Sequence, residues 1–525
     1  MDGSHSNEVT DMSWGIGHGR PRQGRLTPIL ITAVVLAGVV SFGILGSSSL
    51  AAERNDVKPE VPTFQPKDVP VKWDEIQAKS IRLFYPGQTS WDRLVNPQKD
   101  FTHPGGPVIK AGVTCRTCHV KGGAGPDEEA LGKKLVPKGP AEDKPIAGKR
   151  PTVDLAVKAA YDAQNMYFWL QWESEEPGVY HDVMRFDGKK WVGYGGNKPD
   201  KSPGLYEDRI TFNIGYKQGT PGHVPADNGA IAGFQTGGCF ITCHNSMRDM
   251  PYDASGNKKA IATVFPKEDE IRKYLLITRK DAQGGDPKAL KGATEAEGRW
   301  ALPKGKEELA ETRKKGQFLD MWMWRAARSG HIGYADDLWV FGSREGDRGK
   351  GLWQRQQPKD LNANPPKGFM FNPQGIPSSR LGGGKYAIAG GSNPLEVLKN
   401  QGTVPFITSL AKNAVPYDPK AYQPKEGDLL FQRVLRAPDE SRGDIQAYGV
   451  YLKKAGEKMG KYTLILKRKL DTGHPEDDVI LKDGETYPIG FAVHDDHVTT
   501  RRHHVSFEHT LGLGAKADIE AKKLK

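Results

Sequence analysis

The chain has 525 residues, enough to bury a sizeable core and to form three or four units at about 150 residues each. Its 62 Gly and 37 Pro are roughly a fifth of all residues against a usual share of about 12%, which excludes a helical bundle and points to many turns and long connections. The formal charge of +11, from 75 Lys and Arg against 64 Asp and Glu, comes without a basic arm, so it does not resemble a nucleic-acid tail; a soluble, mildly cationic surface is the first reading and docking of an acidic redox partner the alternative.

Ile29 to Gly46 carries no charged side chain, and at about 1.5 Å per residue this run nearly crosses a hydrocarbon core of about 30 Å. Arg20, Arg22 and Arg25 precede it, while Glu53 and Asp56 offset Arg54 and Lys58 beyond it. The positive-inside rule then puts residues 1–27 in the cytoplasm and the body across the membrane. Residues 28–50 are expected to be one transmembrane anchor in the inner membrane with the body in the periplasm. A signal segment cut near Ser49-Leu50-Ala51, leaving a periplasmic protein, is the alternative, and the length of the apolar run favours the anchor. Residues 51–70, with Pro59, Pro62, Pro66 and Pro70, read as a stiff extended linker.

Residues 71–149 read as a small module with a short helical stretch at 73–78, turns such as His103-Pro104-Gly105-Gly106, and a linker or covering loop over 122–151. From Thr152 the texture changes. Thr152 to Tyr161, Asn165 to Trp172, Arg209 to Tyr216, Tyr462 to Leu470 and Tyr487 to His494 are rich in Val, Ile, Tyr, Phe and Trp and predict strands. Strands without a helix after each one predict a mainly β fold, an antiparallel sandwich or open barrel, over residues 150–512. Helical and loop insertions are expected at 251–316 and 341–425, with helical composition at Lys267 to Thr278 and Lys304 to Lys315, and 513–525 reads as a tail.

All four cysteines fall in two clusters, Cys115-Arg116-Thr117-Cys118-His119 and Cys239-Phe240-Ile241-Thr242-Cys243-His244. The first is C-x-x-C-H, in which two thiols add to the haem vinyl groups and the adjacent histidine ligates the iron. The second, C-x-x-x-C-H, keeps the terminal Cys-His pair and lengthens the loop between thiols. In an oxidising compartment a local disulfide competes at each cluster, and in a reducing one the four thiols together could bind zinc. The export signal weakens zinc, and a disulfide leaves the histidine after both clusters unexplained. Two covalently bound haems c are therefore expected, anchored by Cys115 and Cys118 and by Cys239 and Cys243, with His119 and His244 as iron ligands.

Each iron needs a sixth ligand if it only carries electrons. His103, on a flexible approach in the same module, is the candidate for the first haem, with a turn histidine as the alternative. For the second, Met323 in Asp320-Met321-Trp322-Met323-Trp324-Arg325 leads, and alternation puts Met321 and Met323 on one face and the tryptophans on the other. Met250 and Met247 are rivals close to His244, and His181, His494, His503 and His504 are further donors in the β region. Trp169, Trp172, Trp322, Trp324 and Trp339 either wall a haem or form ordinary core. Asp336-Asp337 and Asp495-Asp496 are adjacent carboxylates, but strand neighbours point to opposite faces, so an acid/base pair is not expected. No phosphate loop, dinucleotide fingerprint, nucleophile elbow or zinc-protease helix occurs.

Tyr206-Glu207-Asp208-Arg209, Cys243-His244 with Met247-Arg248, the run Met321 to Arg328 with Gly333-Tyr334-Ala335-Asp336-Asp337, and Phe491-Ala492-Val493-His494 with His504-Val505-Ser506 resemble the cytochrome c-552/DMSO reductase-like haem-binding family, which includes the haem subunit of ethylbenzene dehydrogenase. The resemblance covers roughly residues 150–512. It implies a β-sandwich that holds one haem and exchanges electrons with a partner enzyme, a molybdoenzyme catalytic subunit among them. Residues 76–121, with Phe84-Tyr85-Pro86-Gly87-Gln88, resemble the extra N-terminal haem module of some exported members. Members paired with molybdenum enzymes hold a non-covalent b-type haem, whereas Cys239, Cys243 and His244 suggest covalent attachment here. Covalent relatives often carry His where Met323 stands, so a distal ligand from this position would give a His/Met haem.

The resulting expectation is a membrane-anchored dihaem c-type cytochrome relaying electrons between a membrane or quinol-linked donor and a redox protein. A haem subunit of a molybdenum oxidoreductase and a haem enzyme with an open coordination position are the alternatives.

Overall fold

Thirteen strands form the main sheet: β1 (Lys79–Phe84), β2 (Thr152–Tyr161), β3 (Asn165–Ser174), β4 (Arg209–Ile214), β5 (Leu319–Arg325), β6 (Asp336–Val340), β7 (Arg344–Gly346), β8 (Gln446–Leu452), β9 (Gly460–Lys469), β10 (Thr486–His494), β11 (His504–Val505), β12 (His509–Leu513) and β13 (Ile519–Lys523). This computed structural model describes residues 64–525 apart from 90–93, 95–101, 179–180, 197–203, 217–233, 245–274, 279–287, 290–298, 301–303, 342–343, 372–413, 421–422, 455 and 499–501. The expected anchor at 28–50 lies outside the described residues. Among those described, no helix is long and apolar enough to cross a membrane.

The strands are those that alternation predicts. In β2, Val153, Leu155 and Val157 turn inward while Asp154 is exposed, the period-2 signature of a strand with one wet face. By contrast β5 and β10 are buried on both faces along nearly their whole length. Pairing is antiparallel throughout except at β13, which runs parallel to both β2 and β12. The residues after 513, read as a tail, thus continue into a strand.

Six strands close a ring of pairings, β10–β11–β1–β2–β13–β12 and back to β10. Two wings leave it: β3–β9–β8 from β2, and β4–β5–β6–β7 from β10. The wings meet through aromatic rings. Phe168 of β3 lies 5.0 Å from Phe212 of β4 and 5.6 Å from Trp322 of β5, and Trp172 lies 6.2 Å from Trp324. These tilted and edge-on contacts are the favoured geometry for aromatic pairs. Trp172, Trp322 and Trp324 therefore serve the core between the wings.

Residues on both sides of the expected 149/150 boundary share one sheet, because β1 pairs with β2 and β11, and Lys58–Lys525 forms one compact unit. The end of the expected spacer is also packed. Phe64, Val69 and Val71 are buried against Ala160, Tyr167 and Ile465, where an extended linker was expected. At 73–78 only the 3-10 turn Trp73–Glu75 forms. The expected loop over 122–151 contains a helix, Glu128–Leu135. Asp127 caps it by accepting from Ala130 N at 2.8 Å, with Glu128 and Glu129 in the first turn and Lys133 and Lys134 in the last. Its Gly132 is no linker signal: a Cβ there would stand 2.1 Å from the Pro151 carbonyl oxygen. The helix expected at 304–315 is present as Lys306–Lys314, while most of 267–278 lies outside the described residues. The described part of 341–425 folds into short strands such as Trp353–Arg355 and Phe369–Phe371.

Candidate haem site

The first motif begins in a 3-10 turn, Cys115–Thr117, that brings both thiols and His119 onto one short piece of backbone. Cys115 and Cys118 are free thiols, so no disulfide joins them. Nδ1–H of His119 donates to the Pro126 carbonyl at 3.2 Å. A carbonyl only accepts, so this bond fixes the tautomer and leaves Nε2 as the lone-pair donor for a metal. The His103 ring lies 5.7 Å from the His119 ring, tilted by 36°. With metal–imidazole bonds of about 2 Å, two rings on opposite sides of one iron have centroids about 6 Å apart, so the pair fits a haem between them. Burial lowers the basicity of both imidazoles and favours the neutral, ligating form.

The second motif lies on the helix Phe234–His244, which is broken at Gly238 by φ 57° and ψ −148°. The break is a steric requirement. A Cβ at Gly238 would lie 2.3 Å from the Phe507 carbonyl carbon, and one at Gly490 would lie 2.8 Å from Cys239 N. Helix and strand backbones thus touch, and Cys239 is fully buried on the sheet. Asn213 Nδ2 donates to Cys239 Sγ at 3.2 Å.

Register turns this contact into a map. On the outer face of β4, β5 and β10 the rows are Asn213–Met321–Gly490, Thr211–Met323–Ala492 and Arg209–Arg325–His494. Met323 stands one row from the Asn213 that holds Cys239, on the same face, with Trp322 and Trp324 on the other. His494 and His503 stack across β10 and the start of β11 with centroids 4.1 Å apart. His504, on the opposite side of its strand, is structural: it pairs with Asp495 at 3.3 Å and donates to the Arg150 carbonyl at 2.9 Å. His181 is likewise taken up by Asp182 at 3.2 Å. The side chains of Cys243 and His244, together with Met247 and Met250, lie outside the described residues.

The two motifs share one apolar cluster. Phe84, Ile109, Cys115, Cys239, Phe240, Ala492, Val505 and Phe507 are all buried in it. The Phe507 ring lies 4.6 Å from Phe84 and 6.0 Å from His119. No local sequence signal could reveal this convergence. Other motifs from the sequence are joined by hydrogen bonds: Glu207 accepts from Arg328 Nε at 2.6 Å and from Ala327 N at 3.1 Å, while Ser506 donates its N–H to the Phe491 carbonyl and accepts the Phe491 N–H at its hydroxyl. Asp336 and Asp337 point to opposite faces as alternation requires, with Asp336 bound by Arg325 and Arg442.

A family model described as "Ethylbenzene dehydrogenase" matches residues 73–506. The chain belongs to the ethylbenzene dehydrogenase family. It is also similar to a cytochrome c-552 from Stutzerimonas stutzeri, with 25% identity over 267 residues, 50% of this chain and 69% of that protein. The family match spans both cysteine motifs and the sheet between them.

Proposed function

We propose that this protein is a membrane-anchored, periplasm-facing dihaem c-type cytochrome that relays electrons between a membrane or quinol-linked donor and a redox protein. One observation carries the reading: Cys115 and Cys239, each the first residue of a cysteine–histidine motif, are buried in the same apolar cluster. The name of the cytochrome c-552 relative and the family match support haem as the group bound.

In this reading Cys115, Cys118, Cys239 and Cys243 are thioether anchors and His119 and His244 are proximal ligands. His103 completes the first site. Met323 completes the second, with Met250 as its rival. Bound haem supplies a one-electron iron couple. The residues of the chain do the rest: the Pro126 carbonyl orients His119, Asn213 holds the Cys239 sulfur, and Phe84, Phe240 and Phe507 exclude water between the motifs. A dry, apolar wall disfavours the more charged state of an iron centre and so raises its potential. The net charge of +11 suits an acidic partner face.

The test is the intact mass of the exported protein, made in a host with haem c maturation machinery, together with its pyridine haemochrome spectrum. A gain of two haems supports the relay. A gain of one leaves Cys239 and Cys243 as bare thiols or a disulfide and removes the dihaem reading. The family match also favours a second reading, the haem subunit of a molybdenum oxidoreductase, which predicts co-purification with a large catalytic chain at fixed stoichiometry.

A further inference from the structure

Behind the candidate haem face, on the core side of β5 and β6, lies a group of buried carboxylates that the electron-relay reading does not use. Asp320 of β5, Asp337 of β6 and Asp478 bring one oxygen each within 4.8 Å of one another, and Asp347, Asp477 and Asp478 do the same. All five residues are buried, from fully buried Asp320, Asp337 and Asp478 to Asp347 at 4% exposure. Arg468 is the cation bound to them: it pairs with Asp320 Oδ2 and with Asp478 Oδ1, the latter at 2.7 Å. Asp477 is engaged separately, by the Ser441 hydroxyl at 3.1 Å and Arg348 N at 3.3 Å.

The hydrogen bonds leave a specific remainder. Asp320 Oδ1, both oxygens of Asp337, both oxygens of Asp347 and Asp478 Oδ2 are buried, and among the described residues no N–H or O–H donor reaches them. Buried carboxylates without donors are costly unless they are protonated or bind a metal. Three buried carboxylates that converge on one point, with Asp347 and Asp477 grouped around Asp478 beside them, offer the hard oxygen donors that calcium takes at about 2.3–2.6 Å. That bond length spaces ligand oxygens by up to about 5 Å, and the oxygens of each group lie closer together than this. Magnesium, which keeps several waters and uses one or two carboxylates, fits this all-carboxylate cage poorly. Among the described residues the two groups consist of carboxylates alone, with no sulfur or nitrogen donor, which argues against zinc or copper.

We propose that Asp320, Asp337 and Asp478, with Asp347 beside them, form a structural calcium site. It clips β5 and β6 to the loops that carry Asp347 and Asp478. Because alternate residues of β5 face opposite ways, the clip that holds Asp320 also fixes the strand presenting Met321 and Met323 to the haem face. The competing arrangement is a proton shared between carboxyls, since Asp337 and Asp347 lie within hydrogen-bonding reach of each other.

The test uses the full-length purified holoprotein. Elemental analysis after exhaustive dialysis is expected to find calcium in stoichiometric amount. EGTA is expected to remove it and lower Tm, with Tm restored by added calcium and not by magnesium at the same concentration. Asp337→Asn is expected to abolish bound calcium and the response of Tm to EGTA. Should that variant fail to fold, the wild-type calcium content and EGTA response still decide the matter. Wild-type protein that holds no calcium and melts identically with EGTA and with calcium overturns the site. So does an Asp337→Asn protein more stable than wild type under both conditions, which identifies shared protons instead.

Discussion

The rings of His119 and Phe507 stack with 25° between their planes, and the backbone of Phe507 lies against Gly238, one residue before Cys239. A single residue thus joins both cysteine motifs. Phe507→Ala removes the ring from its contacts with Phe84 and His119 and leaves a cavity in the shared cluster. Buried Phe→Ala changes cost about 3–5 kcal/mol. The unfolding free energy should fall by that amount, read as a lower denaturant midpoint with an unchanged slope, and Phe507→Leu should recover much of the loss. An unaltered midpoint would refute the cluster as the joint between the motifs.

Two glycines with positive φ separate strain from collision. Gly122, at φ 86°, has open space where a Cβ would stand, with nothing within 4 Å, so Gly122→Ala should cost only the left-handed backbone penalty of about 1–2 kcal/mol. Gly238→Ala adds contacts of 2.3 Å to Phe507 and 2.6 Å to Glu508 N, neither of which is a flexible side chain. It should displace the helix Phe234–His244 from the sheet and lower haem incorporation at the second motif while sparing the first. Intact masses of the two variants compare them directly, and equal haem content in both would contradict the packing argument.

His103→Ala tests the distal ligand of the first site. His119 with the cysteines should keep the haem attached, so its haem content by intact mass stays constant while the optical spectrum changes from low-spin to high-spin and exogenous imidazole restores it. A low-spin spectrum that survives the substitution assigns the ligand to another residue.

Burial pushes the carboxyl of Asp208 up to about 7, against the opposing effects of His497 and of the Gly178 N–H that donates to it at 2.8 Å. The folded protein therefore holds a proton on Asp208 that the unfolded chain has released above about pH 4. Stability from this group is complete below about pH 4 and is lost as pH rises through about 7, by at most about 4 kcal/mol. Asp208→Asn lacks the titration. Denaturation at about pH 5 and about pH 8 should show wild type losing ground to the variant between the two, and a constant difference would refute the shift.

The strands of the sheet were legible because their residues alternate and their β-branched and aromatic content is high. Both predicted ends of β2 agree with the structure, as does the split of Met321 and Met323 from Trp322 and Trp324. The helix Glu128–Leu135 was hidden because Gly and Pro around it look like linker, and its cap, Asp127, is a single residue. Proximity of His103 to His119 was readable from their place in one short module. The role of Phe507 was not, since contact between segments so far apart in sequence leaves no local period. The carboxylate group was concealed for the same reason: its members come from two strands and two loops, and Asp337 by itself looks like half of an ordinary surface pair.

The parallel strand β13 sets an order of events for the newborn chain. The facing edges of β2 and β10 are bridged on one side by β1 and β11 and on the other by β12 and β13. Until Ile519–Lys523 has been made and delivered, β2 keeps part of its edge exposed from the start of its synthesis, an invitation to pair with another chain. A sheet that closes through a strand made so long after β2 gains from being held unfolded until that strand has emerged, and a change that disturbs residues 519–523 should reveal itself first as aggregation during production.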